Sequence, residues 1–163
     1  MPGLSTSARK VQECLEKMGF QLAVVEIPQG TRTSADAAKA VGSSLGQIAK
    51  TIVFEGRSSH RPVLVIASGS NRVNEARIEE LIGEPVVKAS AEFVRKATGF
   101  VIGGVPPIGH AESTTIFIDE DLLQYAEIWA AAGTPYAVFK LAPGDLIKMT
   151  GGSVTRTKSS IDQ

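Results

Sequence analysis

Three groups of residues in this chain have side chains or backbone suited to chemistry. They are a set of serines flanked by glycines, a lysine at the head of an apolar run, and a loop of glycines and prolines. The segment Gly42-Ser43-Ser44-Leu45-Gly46 fits the G-x-S-x-G pattern of a nucleophile elbow. That elbow works where a strand turns sharply into a helix and lifts the serine above the sheet. Here the pattern follows a helical segment and leads toward a strand, so its glycines read as a helix stop and a turn. Cys14 falls at helix-face spacing among apolar residues, and His60 lies in a polar stretch beside Arg61. Together with His110 they show no metal-ligand spacing, which predicts no metal and no cofactor. Neither a P-loop nor a G-x-G-x-x-G pattern occurs, so nucleotide hydrolysis and dinucleotide binding are not indicated.

Lys50 opens Lys50-Thr51-Ile52-Val53-Phe54, an apolar strand pattern in which lysine is disfavoured. At a strand mouth a lysine can hold a phosphate or a developing negative charge. The alternative is an edge-strand charge that discourages aggregation. The segment Thr98 to His110 reads TGFVIGGVPPIGH. Gly103 and Gly104 admit positive φ or the close approach of a ligand, while Pro106 and Pro107 stiffen the loop and remove two N–H donors. A rigid loop with exposed amides and carbonyls can grip a polar ligand as an oxyanion hole or an amino-group clamp. Composition alone also accommodates a simple tight connection between strands.

These residues must be positioned by the elements around them. Val11, Cys14, Leu15 and Met18 follow the i, i+3, i+4, i+7 rule, predicting a first helix capped by Ser7 and ended by Gly19. Phe20 to Ile27 reads as a strand. A second helix, Ala35 to Val41, is capped by Thr33 or Ser34 and stopped by Gly42. Lys50 to Glu55 and Pro62 to Ala67 are β-branched runs around a polar stretch, which predicts a hairpin. Asn74 caps a helix over Glu75 to Ile82, a brief strand covers Pro85 to Lys88, and Ser90 caps a helix ending at Gly99. Later strands are expected at Thr115 to Ile118, Glu127 to Ala131 and Tyr136 to Leu141, before a short helix opened by Pro143. The irregular mixture predicts an α+β fold: a single domain with a central mixed, curved β-sheet flanked by helices, over residues 1–150. Residues 151–163 are rich in Ser, Thr and Gly and are expected to form a flexible C-terminal tail.

At 163 residues the chain can bury one sizeable core, and 43% hydrophobic with 21% charged residues is ordinary for a globular domain. No apolar run approaches the roughly 20 residues of a membrane span, and the first ten residues lack the order of a signal peptide. A single cysteine also suits a reducing compartment, so a cytoplasmic location with no membrane contact is expected. Acidic and basic residues balance at 17 each, leaving no overall field to draw in a polyanion. Recognition of a nucleic acid would be local, through Arg72, Arg77, Lys88, Arg95 and Lys96; each alone also reads as ordinary solvated surface.

Gln47-Ile48-Ala49-Lys50-Thr51-Ile52-Val53, followed some fifty residues later by Gly103-Gly104-Val105-Pro106-Pro107-Ile108-Gly109, resembles the YbaK and prolyl-tRNA synthetase insertion-domain editing family. Similarity runs from about Gly19 to Thr150. It includes Thr33, Ala67-Ser68-Gly69 and Leu141-Ala142-Pro143-Gly144-Asp145-Leu146-Ile147. The resemblance implies a hydrolase that cleaves the ester between a wrong amino acid and the terminal adenosine of tRNA, with a small residue in place of proline as the expected target. It implies that Lys50, Gly103 and Gly104 serve the reaction. It also implies that Thr33, Ser68, Val105, Pro106, Pro107, Gly109 and His110 bind the substrate. The expected partners are the acceptor end of aminoacyl-tRNA and an aminoacyl-tRNA synthetase, with no role for DNA. Relatives nearest YbaK carry an Arg and an Asp in the late strand pair, whereas Gly133-Thr134-Pro135-Tyr136-Ala137-Val138 holds no charge. This points away from cysteine as the target. A non-catalytic tRNA- or synthetase-binding module of the same fold is the alternative.

Overall fold

The computed structural model of the protein describes residues 4–28 and 33–159. Helix α1 (Thr6–Lys17) begins on Ser5, whose side chain accepts from the Ala8 amide, and it buries Ala8, Val11 and Leu15. The cap lies two residues before Ser7, the position suggested by spacing. The strand expected over Phe20 to Ile27 shortens to β1 (Val24–Glu26). Gln12 is the reason: its side-chain amide donates to Leu22 O at 2.9 Å and its Oε1 accepts from Val24 N at 2.7 Å. A helical side chain thereby satisfies backbone groups that a strand partner would otherwise take.

The centre of the sheet is the hairpin of β2 (Ile48–Gly56) and β3 (Pro62–Ser68), in register from Ala49 opposite Ser68 to Glu55 opposite Pro62. Beyond β3 lie β5 (Thr115–Asp119) and β8 (Ser153–Thr155), both joined in parallel. On the other edge of β2, Ile48 and Ala49 pair in parallel with Trp129 and Ala130 of β6 (Ile128–Ala131). Antiparallel pairing then continues through β7 (Ala137–Leu141) to β1. A short strand, β4 (Val86–Lys88), pairs antiparallel with Phe54 to Gly56. The path β1-β7-β6-β2-β3-β5-β8, with β4 attached to β2, is the mixed sheet expected of the α+β reading.

Helices cover both faces. Side chains alternate along β2, so Ala49 and Val53 face a main core with Leu64, Ile66, α1, α4 (Ala91–Thr98) and α5 (Pro143–Thr150). Phe54 faces the opposite way, into a second cluster with Val65, Ala67 and Ile78 of α3 (Glu75–Ile82). Fully buried side chains such as Leu15, Leu64 and Ile78 each contribute about 1.5–3 kcal/mol relative to exposure. A smaller cluster joins α2 (Ser34–Val41) to Ile48, with Trp129 packed against it. Among the described residues no helix is long and apolar enough to cross a membrane.

The segment after α5, expected to fray, instead supplies β8 and an ordered extension. Thr157 O accepts from Asn74 N at 2.8 Å, and Arg77 donates to Arg156 O at 3.0 Å and to Thr155 Oγ1 at 2.9 Å. A Ser/Thr/Gly composition carries no sign of the open edge of β5 that receives it. Residues 160–163 lie outside the described residues.

Candidate active site

The sheet is interrupted along one edge of β2. Pairing with β6 ends at Ala49 and pairing with β4 begins at Phe54, so no strand covers that edge at Thr51 among the described residues. A cleft of about 420 Å³ opens there. From one side it is bounded by α2 with Thr33, Ser34 and Ala37, and from the other by Val94, Gly103 and Val105, with Ala130 and Val138 behind. Lys50, Thr51 and Lys88 line it at the strand edge. Mixed apolar walls with a few polar groups are what a small-molecule cleft requires.

The expected site residues divide. Lys50, Thr33, Gly103 and Val105 meet in this cleft although they are far apart in sequence. Thr33 has a second task, since its Oγ1 accepts from Asp36 N at 3.1 Å and caps α2. Gly103 has φ +88, and a Cβ there would find only Pro135 Cγ within 4 Å, at 3.7 Å. Gly104 is glycine for a different reason. A Cβ would come within 2.6–2.8 Å of the Thr134 backbone, and its carbonyl accepts from Gly133 N at 2.9 Å. The close approach is thus by a neighbouring loop, and Gly104 does not line the cleft.

Pro106, Pro107, Gly109 and His110 continue the same loop beyond Val105 and do not line the cleft. His110 Nε2 donates to Pro106 O at 2.7 Å, which fixes the neutral tautomer with the proton on Nε2. Burial lowers the His110 pKa, opposed by this bond. Ser68 is buried outside the cleft lining: its Oγ donates to Gly46 O at 2.8 Å and its amide to Asp119 Oδ2 at 3.0 Å. Asp119, itself buried, also accepts from Asn71 Nδ2 at 2.9 Å and from Asp121 N at 2.9 Å. Asn71 and Lys158 hold Asp121 in turn, at 2.7 Å and 2.9 Å, so this network braces the end of β3.

Lys50 sits in an electropositive neighbourhood. Burial first, then the charges of Lys88 and Arg72, push its pKa down, while Asp119 partly restores it. Two members of the basic cluster read from sequence therefore act on Lys50. Arg77 is occupied in holding the chain after β8. An anion entering here would relieve the repulsion among the three cations and raise the Lys50 pKa again.

Other sequence readings resolve structurally. Gly42 caps α2 in the left-handed conformation, and a Cβ on Gly46 would collide with the Tyr125 hydroxyl, so the G-x-S-x-G segment is a helix exit and a turn. His60 occupies the exposed β2–β3 turn with Nδ1 2.8 Å from Glu55 Oε2. Cys14 packs from α1 against the main core. Among the described residues no group of three or more His, Cys, Asp or Glu is arranged to hold a metal. The contributions of Ser34 and Ala37 on α2 and of Trp129, Ala130 and Val138 were not found by sequence reasoning, because no local spacing signals where a sheet stops pairing.

A model of the aminoacyl-tRNA editing domain matches residues 28–149, which span both the strand bearing Lys50 and the Gly103 loop. The chain belongs to the aminoacyl-tRNA editing domain family. A solved structure described as a "putative trans-editing enzyme for prolyl tRNA synthetase" is 47% identical. It superposes with a TM-score of 0.92, over 97% of this chain and 100% of that one. A protein of Enterococcus faecalis named "Putative Cys-tRNA(Pro)/Cys-tRNA(Cys) deacylase EbsC" is 27% identical over 116 residues, 71% of this chain and 70% of that protein. A proline–tRNA ligase of Limosilactobacillus fermentum is 36% identical over 98 residues. That match covers 57% of this chain and 17% of the ligase.

Proposed function

We propose that this editing domain is an aminoacyl-tRNA deacylase that hydrolyses the ester of tRNA, tRNA-Pro foremost, carrying a small non-cognate amino acid. The observation that carries the reading is the cleft at the break in the sheet, where a cationic strand edge meets a narrow apolar recess. Lys50, with Lys88 and Arg72 near it, receives the phosphate and ribose of the terminal nucleotide. Val94, Val105, Ala130 and Val138 bound the space for the side chain, and Gly103 keeps the loop clear of the reacting carbonyl. Selection is by size, a methylene contributing about 1–3 kcal/mol of discrimination.

Water attacks the ester carbonyl, the bond to the ribose oxygen breaks, and the products are free amino acid and tRNA with its terminal hydroxyl restored. Among the described residues no serine or cysteine lines the cleft in the setting of a nucleophile: Ser34 opens α2, Ser68 is buried in its hydrogen bonds and Cys14 packs on α1. The neighbouring hydroxyl of the terminal ribose therefore orients the water or stabilises the departing oxygen, without a covalent intermediate. A synthetase is the partner this reading favours for delivering mischarged tRNA.

The test is release of amino acid from tRNA-Pro charged with alanine, serine, cysteine or proline, alongside Lys50→Ala. The small non-cognate esters should be cleaved and proline spared, with Lys50→Ala folded but at least about a hundredfold slower. Binding of tRNA without turnover of any ester would establish the non-catalytic module instead. Unchanged turnover by a tRNA ending in deoxyadenosine, or an acyl-enzyme trapped on the protein, would exclude assistance by the ribose.

A further inference from the structure

The hydrogen-bond phase of the β2–β3 hairpin fixes which backbone groups face the cleft. Gly69 N donates to Ile48 O at 2.7 Å and Gly56 N to Arg61 O at 3.0 Å, at the two ends of the same register. Ile48, Lys50, Ile52, Phe54 and Gly56 therefore direct their N–H and C=O toward β3, and Ala49, Thr51 and Val53 direct theirs to the opposite edge. Ala49 on that edge pairs with β6, and Val53 O accepts from Ala89 N at 3.1 Å. Between them no strand among the described residues covers Thr51. Its amide and carbonyl point into the cleft as a donor and acceptor side by side.

We propose that Thr51 receives the aminoacyl group as a single residue of an added antiparallel strand. Its carbonyl accepts from the α-ammonium and its amide donates to the ester carbonyl. This rests on the deacylase reading of the same site. An aminoacyl ester carries an N–H donor and a carbonyl on one residue, the pairing that a hydrogen-bonded antiparallel position offers. The assignment also fixes handedness. Residues opposite one another place their side chains on the same face, so an L side chain opposite Thr51 enters the face of Ala49 and Val53. That face carries Val94, Val105 and Ala130 at the cleft wall. A D side chain is turned instead toward the face of Lys50.

Two parts of the domain then divide recognition of one small group. The strand edge reads the α-amino function and chirality, and the valines and alanine read size. The pairing uses only the backbone of Thr51, whose side chain shares the face of Ala49 and Val53.

Amide exchange and 15N-resolved NMR on the whole protein test this directly. The probe is 3′-(L-alanylamino)-3′-deoxyadenosine, compared with its D-alanyl and propionyl counterparts; the last lacks only the amino group. In the free protein the Thr51 amide should exchange faster than those of Lys50 and Ile52, and the L-alanyl probe should slow it and shift its resonance. The D-alanyl and propionyl probes should bind at least about tenfold more weakly. Equal binding of all three, no response at Thr51 while the L probe binds, or no binding of the L probe would overturn the proposal. Turnover separates the two readings. Cleavage of L- and D-alanyl-tRNA at equal rates rejects the Thr51 pairing and leaves the deacylase, whereas probe binding at Thr51 without hydrolysis of any ester rejects the deacylase.

Discussion

Replacing Gly104 with alanine should cost more stability than replacing Gly103, although the two are adjacent and both belong to the same loop. A methyl at position 104 would come within 2.6 Å of Thr134 Cα and 2.8 Å of its N and C. Those atoms are backbone, so they cannot swing aside as the tip of a side chain would, and ordinary contact requires the two loops to part by about 1 Å. Parting them also stretches the 2.9 Å bond from Gly133 N to Gly104 O. Overpacking of about 1–3 kcal/mol and a lost hydrogen bond of about 0.5–1.5 kcal/mol give roughly 2–4 kcal/mol for Gly104→Ala. For a domain of this size that lowers Tm by roughly 5–15 °C. Gly103→Ala meets no such obstruction, its nearest neighbour being 3.7 Å away, and pays only for φ +88, about 1–2 kcal/mol. Urea unfolding of the three proteins by circular dichroism ranks them, and deacylation at a temperature where all are folded reports the cleft. Gly103→Ala, whose methyl stands at the cleft wall, should lose the larger share of activity per unit of stability lost. A Gly104→Ala protein at least as stable as Gly103→Ala would refute the reasoning.

Because burial, Lys88 and Arg72 lower the Lys50 pKa, its charge is lost as pH rises at values below the ordinary 10.5. The rate advantage over uncatalysed ester hydrolysis should therefore fall on the alkaline side, and Lys88→Gln should move that limb to higher pH; single-turnover rates across pH with and without protein check both. His110 gives the opposite limb. Its folded pKa lies below the unfolded 6.5, so the unfolded chain binds the extra proton first and stability is lost as pH falls below 6.5 toward the folded value. Urea midpoints at pH 7.5 and 5.5 should separate less in His110→Phe than in the native protein, and an undiminished separation would assign the acid sensitivity elsewhere.

Much of the local structure was legible because it is written in caps and periods. Thr33, Asn74 and Ser90 cap the helices expected of them, and Gly42 and Gly99 end theirs in the left-handed conformation. Pro143 opens α5, and the β2–β3 hairpin follows its two β-branched runs. Lys50 and Gly103 were legible as a pair, through the resemblance more than through their own neighbours. What sequence could not supply was tertiary. Phe117-Ile118-Asp119-Glu120-Asp121 looks like a strand running out into solvent, yet Asp119 is buried and its carboxylate closes a network across the end of β3. Gly104 signals a close approach, and only the fold says that the approaching group is Thr134. The shortened β1 depends on one glutamine side chain reaching from α1.

The meeting of β2 with β6 also has a consequence in time. One wall of the cleft is made near residue 50, by a hairpin whose strands are close in sequence. The other wall needs Trp129, Ala130 and Val138, joined to the first by the pairing of Ile48 with Trp129 and Ala49 with Ala130 and by the bond from Gln47 Nε2 to Glu127 O at 2.9 Å. Contacts of such long separation form late, after the entropy of closing the intervening chain has been met. A chain that has emerged only as far as β5 carries the α2 and Val94 sides of the cleft but lacks Trp129, Ala130 and Val138. The cleft is closed only when the residues from Trp129 onward have joined the sheet.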